Sequence, residues 1–357
     1  MPKLDRFIVL PRFSITPTQV TSFNEIVPRH KCHETYEAAL AASKSQAIKK
    51  PKKAAKQSVK RSHHNFKISQ NAYRNLKLKI NWLYHLSKAR HVKTSNGRDI
   101  YNFKMGFLTL TLPSKQKHPT SFITKEILNQ FLTEIRGETQ MRNYIWRLEF
   151  QKNGNVHYHL VTDTYLNYFH ARRVWNRCLS KYGYIEPYRA KHSAMSLSEY
   201  VAEYADEKHN DFNTLAKRYA KGKKAGWSQP PSIDMRSVAS QKAIAHYISK
   251  YFSKDNEKGP KKNEFDTDEN SASMRLWFCS RSLSKLKTIT GYCEASLFDI
   301  FTIVKSCAKL VVKHYKYATC FYYEMRKFPK GARIFIEKLL KDYSVKQGYI
   351  PAGINTT

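Results

Sequence analysis

The stretch Asn143–Thr162, NYIWRLEFQKNGNVHYHLVT, decides how this 357-residue chain is read. Two runs, 143–151 (NYIWRLEFQ) and 156–162 (VHYHLVT), are rich in aromatic and β-branched residues. Asn153-Gly154 lies between them, and that pair favours the left-handed backbone a tight turn needs, so the stretch predicts an antiparallel hairpin. On its second strand His157 and His159 are two residues apart. Side chains alternate across a strand, so the two imidazoles share a face with Cα atoms about 7 Å apart and can converge on one divalent ion. The turn sets where the acid on the partner strand falls. A two-residue loop at Asn153-Gly154 places Glu149 opposite Tyr158, away from the histidines. A three-residue loop of Lys152, Asn153 and left-handed Gly154 places it opposite His157. The second arrangement is the expected one, since an added carboxylate shifts the donor set towards Mg²⁺ or Mn²⁺ and away from Zn²⁺. Asp163 has the parity of the histidines but lies about 13 Å along the strand from His159, too far for easy convergence.

Outward from the hairpin the pattern mixes strands and helices. Before it, 69–90 carries Tyr73, Leu76, Leu78, Ile80, Leu83 and Leu86 near helical spacing among basic residues. Asn96-Gly97 marks another turn, and 103–112 (FKMGFLTLTL) alternates as a strand that Pro113 ends. Residues 122–138 form a helix with Ile127, Leu128, Phe131, Leu132 and Ile135 on one face. After the hairpin come a helix over 168–181, a polar Tyr-rich region, a helix over 236–253, a short strand at 274–279 (MRLWFC) and a mainly helical region over 295–345. Regular β-α-β alternation is lacking. The expected class is therefore α+β, with a central antiparallel sheet flanked by helices. The expected organisation is a basic, partly disordered N-terminal arm (1–66), a central domain (67–290) and a helical C-terminal region (291–357).

Composition narrows the partner. Lys and Arg number 63 against 28 acids, giving a net charge of +35, and aromatic residues make up 13%. Such charge opposes compaction unless a polyanion is bound. Cations neutralise phosphates and rings stack on unpaired bases, which describes a single-strand nucleic-acid binder. No acid occurs between Glu37 and Asp99, and 43–62 (SKSQAIKKPKKAAKQSVKRS) reads as a basic linker along phosphates or a nuclear-localisation signal. The six cysteines form no C-x-x-C pair, which argues against a zinc ribbon and for buried thiols in a reducing compartment. No secretory signal is apparent, and the most apolar stretch, 296–304, is too short and too charged to cross a bilayer. A soluble intracellular protein without a membrane partner is expected.

A second constellation is Tyr247–Lys254 (YISKYFSK), a tandem Tyr-x-x-Lys. On a helix Tyr247, Lys250 and Tyr251 project to one side. A phenol is a poor nucleophile because its pKa is near 10, and an adjacent ammonium favours the phenolate. Histidines placed for a metal and a downstream Tyr/Lys helix are the parts phosphodiester transfer by tyrosine requires.

Three segments then occur in the order of a known family. Phe107–Pro113 (FLTLTLP), Asn153–Leu160 (NGNVHYHL) and Tyr247–Lys254 resemble the motifs of rolling-circle replication initiators of the His-hydrophobic-His endonuclease superfamily, nearest those of small single-stranded DNA phages (Microviridae-like). Arg275–Leu283 (RLWFCSRSL) adds a weaker similarity. The resemblance implies a DNA endonuclease and nucleotidyltransferase. His157 and His159 would be metal ligands with Glu149 as the third, and the metal Mg²⁺ or Mn²⁺. Tyr247 and Tyr251 would be paired nucleophiles, Lys250 would assist at the scissile phosphate, and Lys254 would contact DNA. The implied product is a 5′-phosphotyrosine with a free 3′-hydroxyl. The implied partners are a single-stranded DNA origin and, as no P-loop occurs in the chain, a host helicase beside the polymerase. The cytoplasm of a bacterial host is the implied location, with the nucleus as the alternative the basic linker keeps open. A relaxase or single-strand transposase with the same chemistry, or a non-catalytic nucleic-acid-binding protein, are the competing classes.

Overall fold

The computed structural model describes residues 7–28, 68–94, 97–205, 211–238, 274–292 and 302–352. It is α+β, and it divides into two compact units. The larger holds the described residues of 62–284 and 350–357, and the smaller those of 1–61 and 285–349.

The larger unit opens with helix α1 (Gln70–Leu86), capped by Ser69, whose hydroxyl accepts from the Ala72 N–H. Strands β3 (Arg90–Lys93) and β4 (Asp99–Phe103) pair as a small separate hairpin. The main sheet follows, built from β5 (Met105–Leu110), β6 (Tyr144–Phe150), β7 (Val156–Thr162), β8 (Ile233–Val238) and β9 (Trp277–Cys279). Its order is β8-β5-β7-β6-β9, every neighbouring pair antiparallel, so the histidine strand β7 is central. Helix α2 runs from Thr120–Phe122 through a π-helical stretch, Ile123–Leu128, into Asn129–Glu138. With α3 (Tyr168–Ser180), capped by Asn167, it covers one face of the sheet.

Alternation fixes that covered face. Val156, Tyr158 and Leu160 of β7 join Trp146 and Leu148 of β6 and Leu108 and Leu110 of β5 in a core with Ile127, Phe131 and Trp175 of the helices. The five expected apolar residues of α2 are all buried. A one-residue slip of β7 would turn its apolar set to the opposite face and carry His157 and His159 into the core. Each large side chain so exposed costs about 1.5–3 kcal/mol, so the register is strongly held. The turn is held as well. Asn155 Nδ2 donates to the Ser114 carbonyl at 2.8 Å, the Gln116 N–H donates to Asn155 Oδ1 at 2.9 Å, and the Val156 N–H donates to Gln116 Oε1 at 2.9 Å.

Helices α4 (Glu186–Ala194), α5 (Leu197–Tyr204) and α6 (Phe212–Lys224) lie between α3 and β8 along the chain. They carry a small core of their own, Tyr200, Leu215 and Trp227. This accounts for much of the Tyr-rich polar region: Tyr188, Tyr200, Tyr204 and Tyr219 pack around this small core, while Tyr182 and Tyr184 join the main one.

The smaller unit is a second antiparallel sheet, ordered β10-β1-β2-β12-β11, with β1 (Phe7–Thr16), β2 (Gln19–Pro28), β10 (Ile289–Tyr292), β11 (Val311–Tyr315) and β12 (Ala318–Tyr322). Helix α7 (Lys330–Lys346) belongs to the same unit. One expectation is corrected here and another refined. Residues 7–28 are not part of a disordered arm; β-branched and aromatic residues on either side of Pro17-Thr18 pair as a hairpin, Thr16 opposite Gln19. Among the described residues the 295–345 region has more helix than strand, as expected, but it also holds an unexpected hairpin, Val311–Tyr315 with Ala318–Tyr322 across a two-residue loop. Period-two spacing and β-branched content outweigh the overall apolar fraction there. A further correction concerns the helix expected over 236–253. Its first residues, 236–238, end strand β8, because Ile233 and Met235 pack inward while Asp234 and Arg236 are exposed. The rest of that helix lies outside the described residues.

Among the described residues no helix is long and apolar enough to cross a membrane. Cys178, Cys279, Cys307 and Cys320 are free and buried. Burial pushes the Cys178 thiol up to about 12 and the Cys279 thiol to about 11, so neither is a reactive thiolate.

Candidate metal centre

The β6–β7 turn settles the position of Glu149. The Gln151 N–H donates to the Asn155 carbonyl at 2.8 Å and the Gly154 N–H to the Gln151 carbonyl at 2.9 Å. Gly154 is left-handed at φ 85°. This is the three-residue loop with a glycine bulge, and it sets Glu149 opposite His157.

Three potential ligand atoms therefore converge on the sheet face away from the helices. Glu149 Oε2 lies 3.3 Å from His157 Nε2 and 3.1 Å from His159 Nε2. One nitrogen or oxygen from each residue falls within 4.8 Å of the others. The two rings are 4.5 Å apart, centre to centre. His159 is nearly buried, with 5% of its side chain exposed against 17% for His157, so the site is closed beneath and open above.

Electrostatics prepares the donors. Burial raises the Glu149 pKa, but hydrogen bonds from both imidazoles and the charge of Arg147 outweigh it and hold the carboxyl at about 2. His159 is shifted down, chiefly by burial against the opposing pull of Glu149, which favours the neutral ring a metal needs. The Arg147 guanidinium stands 3.9 Å from Glu149 Oε1. That oxygen is buried and, among the described residues, has no hydrogen-bond donor. A buried carboxylate oxygen with spare acceptor capacity, beside two imidazole nitrogens crowded onto its twin, is a donor set that fits a divalent cation.

Two contacts were not anticipated from the motifs. Thr109 on β5 is the register partner of His159, and its Oγ1 lies 3.1 Å from His159 Nδ1. A ligating imidazole needs its second nitrogen held, and the hydroxyl serves that need. Phe107, two residues earlier, stacks on the His159 ring with centres 5.7 Å apart and planes 15° apart. The sequence signal was the alternation in FLTLTLP, but the pairing partner could not be read from it. Tyr158, between the histidines, turns to the core and hydrogen-bonds with Thr124 Oγ1 at 2.7 Å. Asp163 is occupied elsewhere. It accepts from Asn143 Nδ2 at 2.7 Å, from the Asn143 N–H at 3.0 Å and from the Arg142 N–H at 3.2 Å.

The structure thus brings Glu149, His157 and His159 together. Tyr247, Lys250, Tyr251 and Lys254 lie outside the described residues.

Residues 105–256 match the family model of the replication-associated protein ORF2/G2P. The match runs from the first residue of β5 and takes in the Glu149–His157–His159 cluster and the YISKYFSK segment. It supports a role in replication initiation, with DNA as the partner. No curated protein and no solved structure matches the chain.

Proposed function

We propose that this protein initiates rolling-circle replication by nicking and rejoining single-stranded DNA through a tyrosine, with Mg²⁺ or Mn²⁺ held by Glu149, His157 and His159. The observation that supports it most is the three-residue cluster on the paired strands β6 and β7 within the segment that matches a replication-associated family. A divalent ion bound there would polarise the scissile phosphate. The chain's own residues do the rest. Thr109 and Phe107 hold the His159 ring, and the imidazoles, with a smaller part from the Arg147 charge, keep Glu149 ionised. Tyr247, with Lys250 three residues on in sequence, is the nucleophile. Its phenolate oxygen forms a bond to phosphorus, the bond from phosphorus to the 3′ oxygen breaks, and that oxygen leaves as the 3′-hydroxyl after taking a proton. Tyr251, four residues on in sequence, would cut the second time and let the first end be rejoined. Lys254 would contact the strand, and unwinding would fall to a host helicase in a bacterial cytoplasm.

The test is a labelled single-stranded origin oligonucleotide incubated with Mn²⁺ and resolved on a denaturing gel. A covalent protein–DNA species is expected, lost in the double variant Tyr247→Phe, Tyr251→Phe. An adduct that survives both substitutions defeats the tyrosine reading, and a wild type that binds DNA but forms none is a non-catalytic binder. Circular single strands as product separate an initiator from a relaxase or transposase.

A further inference from the structure

At the β8 edge of the main sheet, on the face that α3 covers, lies a cavity of about 860 Å³. Its walls are aromatic and basic. Phe103 and Tyr165 meet edge to face with centres 5.6 Å apart, and Tyr168 and Phe169, at the start of α3, do so at 5.3 Å. Arg98 on the β3–β4 hairpin and Arg236 on β8 stand at its rim. Phe169 is 51% exposed although it is a large apolar ring. The acid in the lining, Asp99, is engaged by His91 Nε2 at 2.9 Å.

The cavity is linked to the candidate metal centre by the sheet itself. Arg236 is the register partner of Phe107, and Phe107 stacks on His159. Arg236 and Phe107 lie on the same sheet face as the histidines, whereas Gly106, Leu108 and Met235 of the lining lie on the helix-covered face. A strand leaving the cluster therefore crosses Phe107 and rounds the edge strand at Arg236 to reach the cavity. Resting on the proposed function, the geometry points to this cavity as the pocket for one unpaired nucleotide of the DNA strand. The base stacks on Phe169 and Tyr168, and its phosphates are met by Arg98 and Arg236. Exposed rings between cations are how single strands are gripped without sequence readout. A cavity of this volume also falls within the range that encloses small ligands, so it has room for a base and its sugar.

The test measures binding of the full chain to a fluorescent single-stranded oligonucleotide by anisotropy in EDTA, where no cleavage intervenes. Phe169→Ala is expected to weaken binding about 5- to 150-fold, the range that loss of one stacked base gives. Phe169→Trp is expected to retain it, and Phe212→Ala, which removes an equally exposed ring on α6, to leave it unchanged. Arg98→Ala should lower the slope of log affinity against log salt by about 0.7. An oligonucleotide with abasic positions should bind the wild type no better than the intact one binds Phe169→Ala, and a free deoxynucleotide should compete poorly. Unchanged affinity in Phe169→Ala, or equal losses in Phe169→Ala and Phe212→Ala, overturns the pocket. The two readings fail separately. Adduct formation with unchanged Phe169→Ala affinity removes the pocket alone, whereas a wild type that loses affinity on Phe169→Ala but forms no adduct removes the nuclease alone.

Discussion

Two buried histidine clusters in the larger unit differ in where their ring nitrogens end. His192, in the three-helix insertion, is caged by Tyr188, Tyr204 and Trp227, with ring centres 4.0, 6.1 and 5.0 Å away. Its Nδ1–H donates to the Tyr188 carbonyl at 2.8 Å, and its Nε2 accepts from the Tyr204 hydroxyl at 2.9 Å. Both nitrogens are used, and the ring serves packing. His157 and His159 instead direct both Nε2 atoms at a single carboxylate oxygen, while the other oxygen of Glu149 accepts no hydrogen bond from the described residues. Burial alone does not distinguish a ligand from a core histidine. The accounting of lone pairs does.

The sharpest way to break this contrast is to exchange the consequences. His159→Ala is expected to abolish Mn²⁺-dependent cleavage, exceeding the ~10–100-fold loss typical of residues one shell further out, while the fold persists. Trp227→Ala is expected to do the reverse. It should cost about 3–5 kcal/mol of stability in the insertion, read by denaturant titration, and leave Mn²⁺ affinity by calorimetry unchanged. If His159→Ala lowers stability and spares metal binding, the two clusters are alike and the metal reading falls.

Next in size is Thr109→Val, which keeps the shape but removes the hydroxyl facing His159 Nδ1. Metal affinity should drop about 10–100-fold, and Thr109→Ser should restore most of it. Equal affinities for Val and Ser variants would show that packing, not the hydrogen bond, orients the ring.

How much of this was legible depends on how far along the chain each cause acts. The β6–β7 hairpin could be read because period-two alternation and the Asn153-Gly154 turn lie within twenty residues. Of the two loop lengths the sequence left open, the three-residue one expected there is the one that forms. Thr109 was read as a strand residue but not as the partner of His159, because a pairing between segments fifty residues apart leaves no mark on either one. His192 carried no signal, since its cage exists only once three helices pack. The hairpin of Val311–Tyr315 and Ala318–Tyr322 was not read within the mainly helical region, because two five-residue strands carry little local signal beside a seventeen-residue helix.

The two buried carboxylates sharpen the comparison through pH, with opposite signs. Hydrogen bonds to Glu149 hold it at about 2, so without metal its contribution to stability is complete above the ordinary glutamate range and is lost as pH falls towards 2. Asp163 is raised, chiefly by burial and against the bonds from Asn143 and Arg142. Its contribution is complete below the ordinary aspartate value and is lost as pH rises through the elevated one. Denaturant titrations in EDTA between pH 3 and 7 should therefore show Glu149→Gln removing stability mainly towards neutral pH. An unchanged pH profile would mean that the imidazoles do not favour the ionised form.

The smallest effect tests what holds Glu149 opposite His157. Gly154 is left-handed at φ 85°, and a Cβ placed there meets nothing within 4 Å. Gly154→Ala is thus strained through its backbone alone, at about 1–2 kcal/mol. If the turn alone set the register, that strain would be relieved by remodelling the loop, and Glu149 would move. The register has other supports, however. Seven residue pairs join β6 to β7, and the Asn155–Gln116 bonds clamp the turn from outside. Gly154→Ala should therefore lower stability by about that amount and leave Mn²⁺ affinity within a few-fold, with Gly154→Asn milder because asparagine tolerates the left-handed region. A loss of metal affinity as large as that of Thr109→Val would show that the bulge, and not the pairing of the two strands, positions the carboxylate.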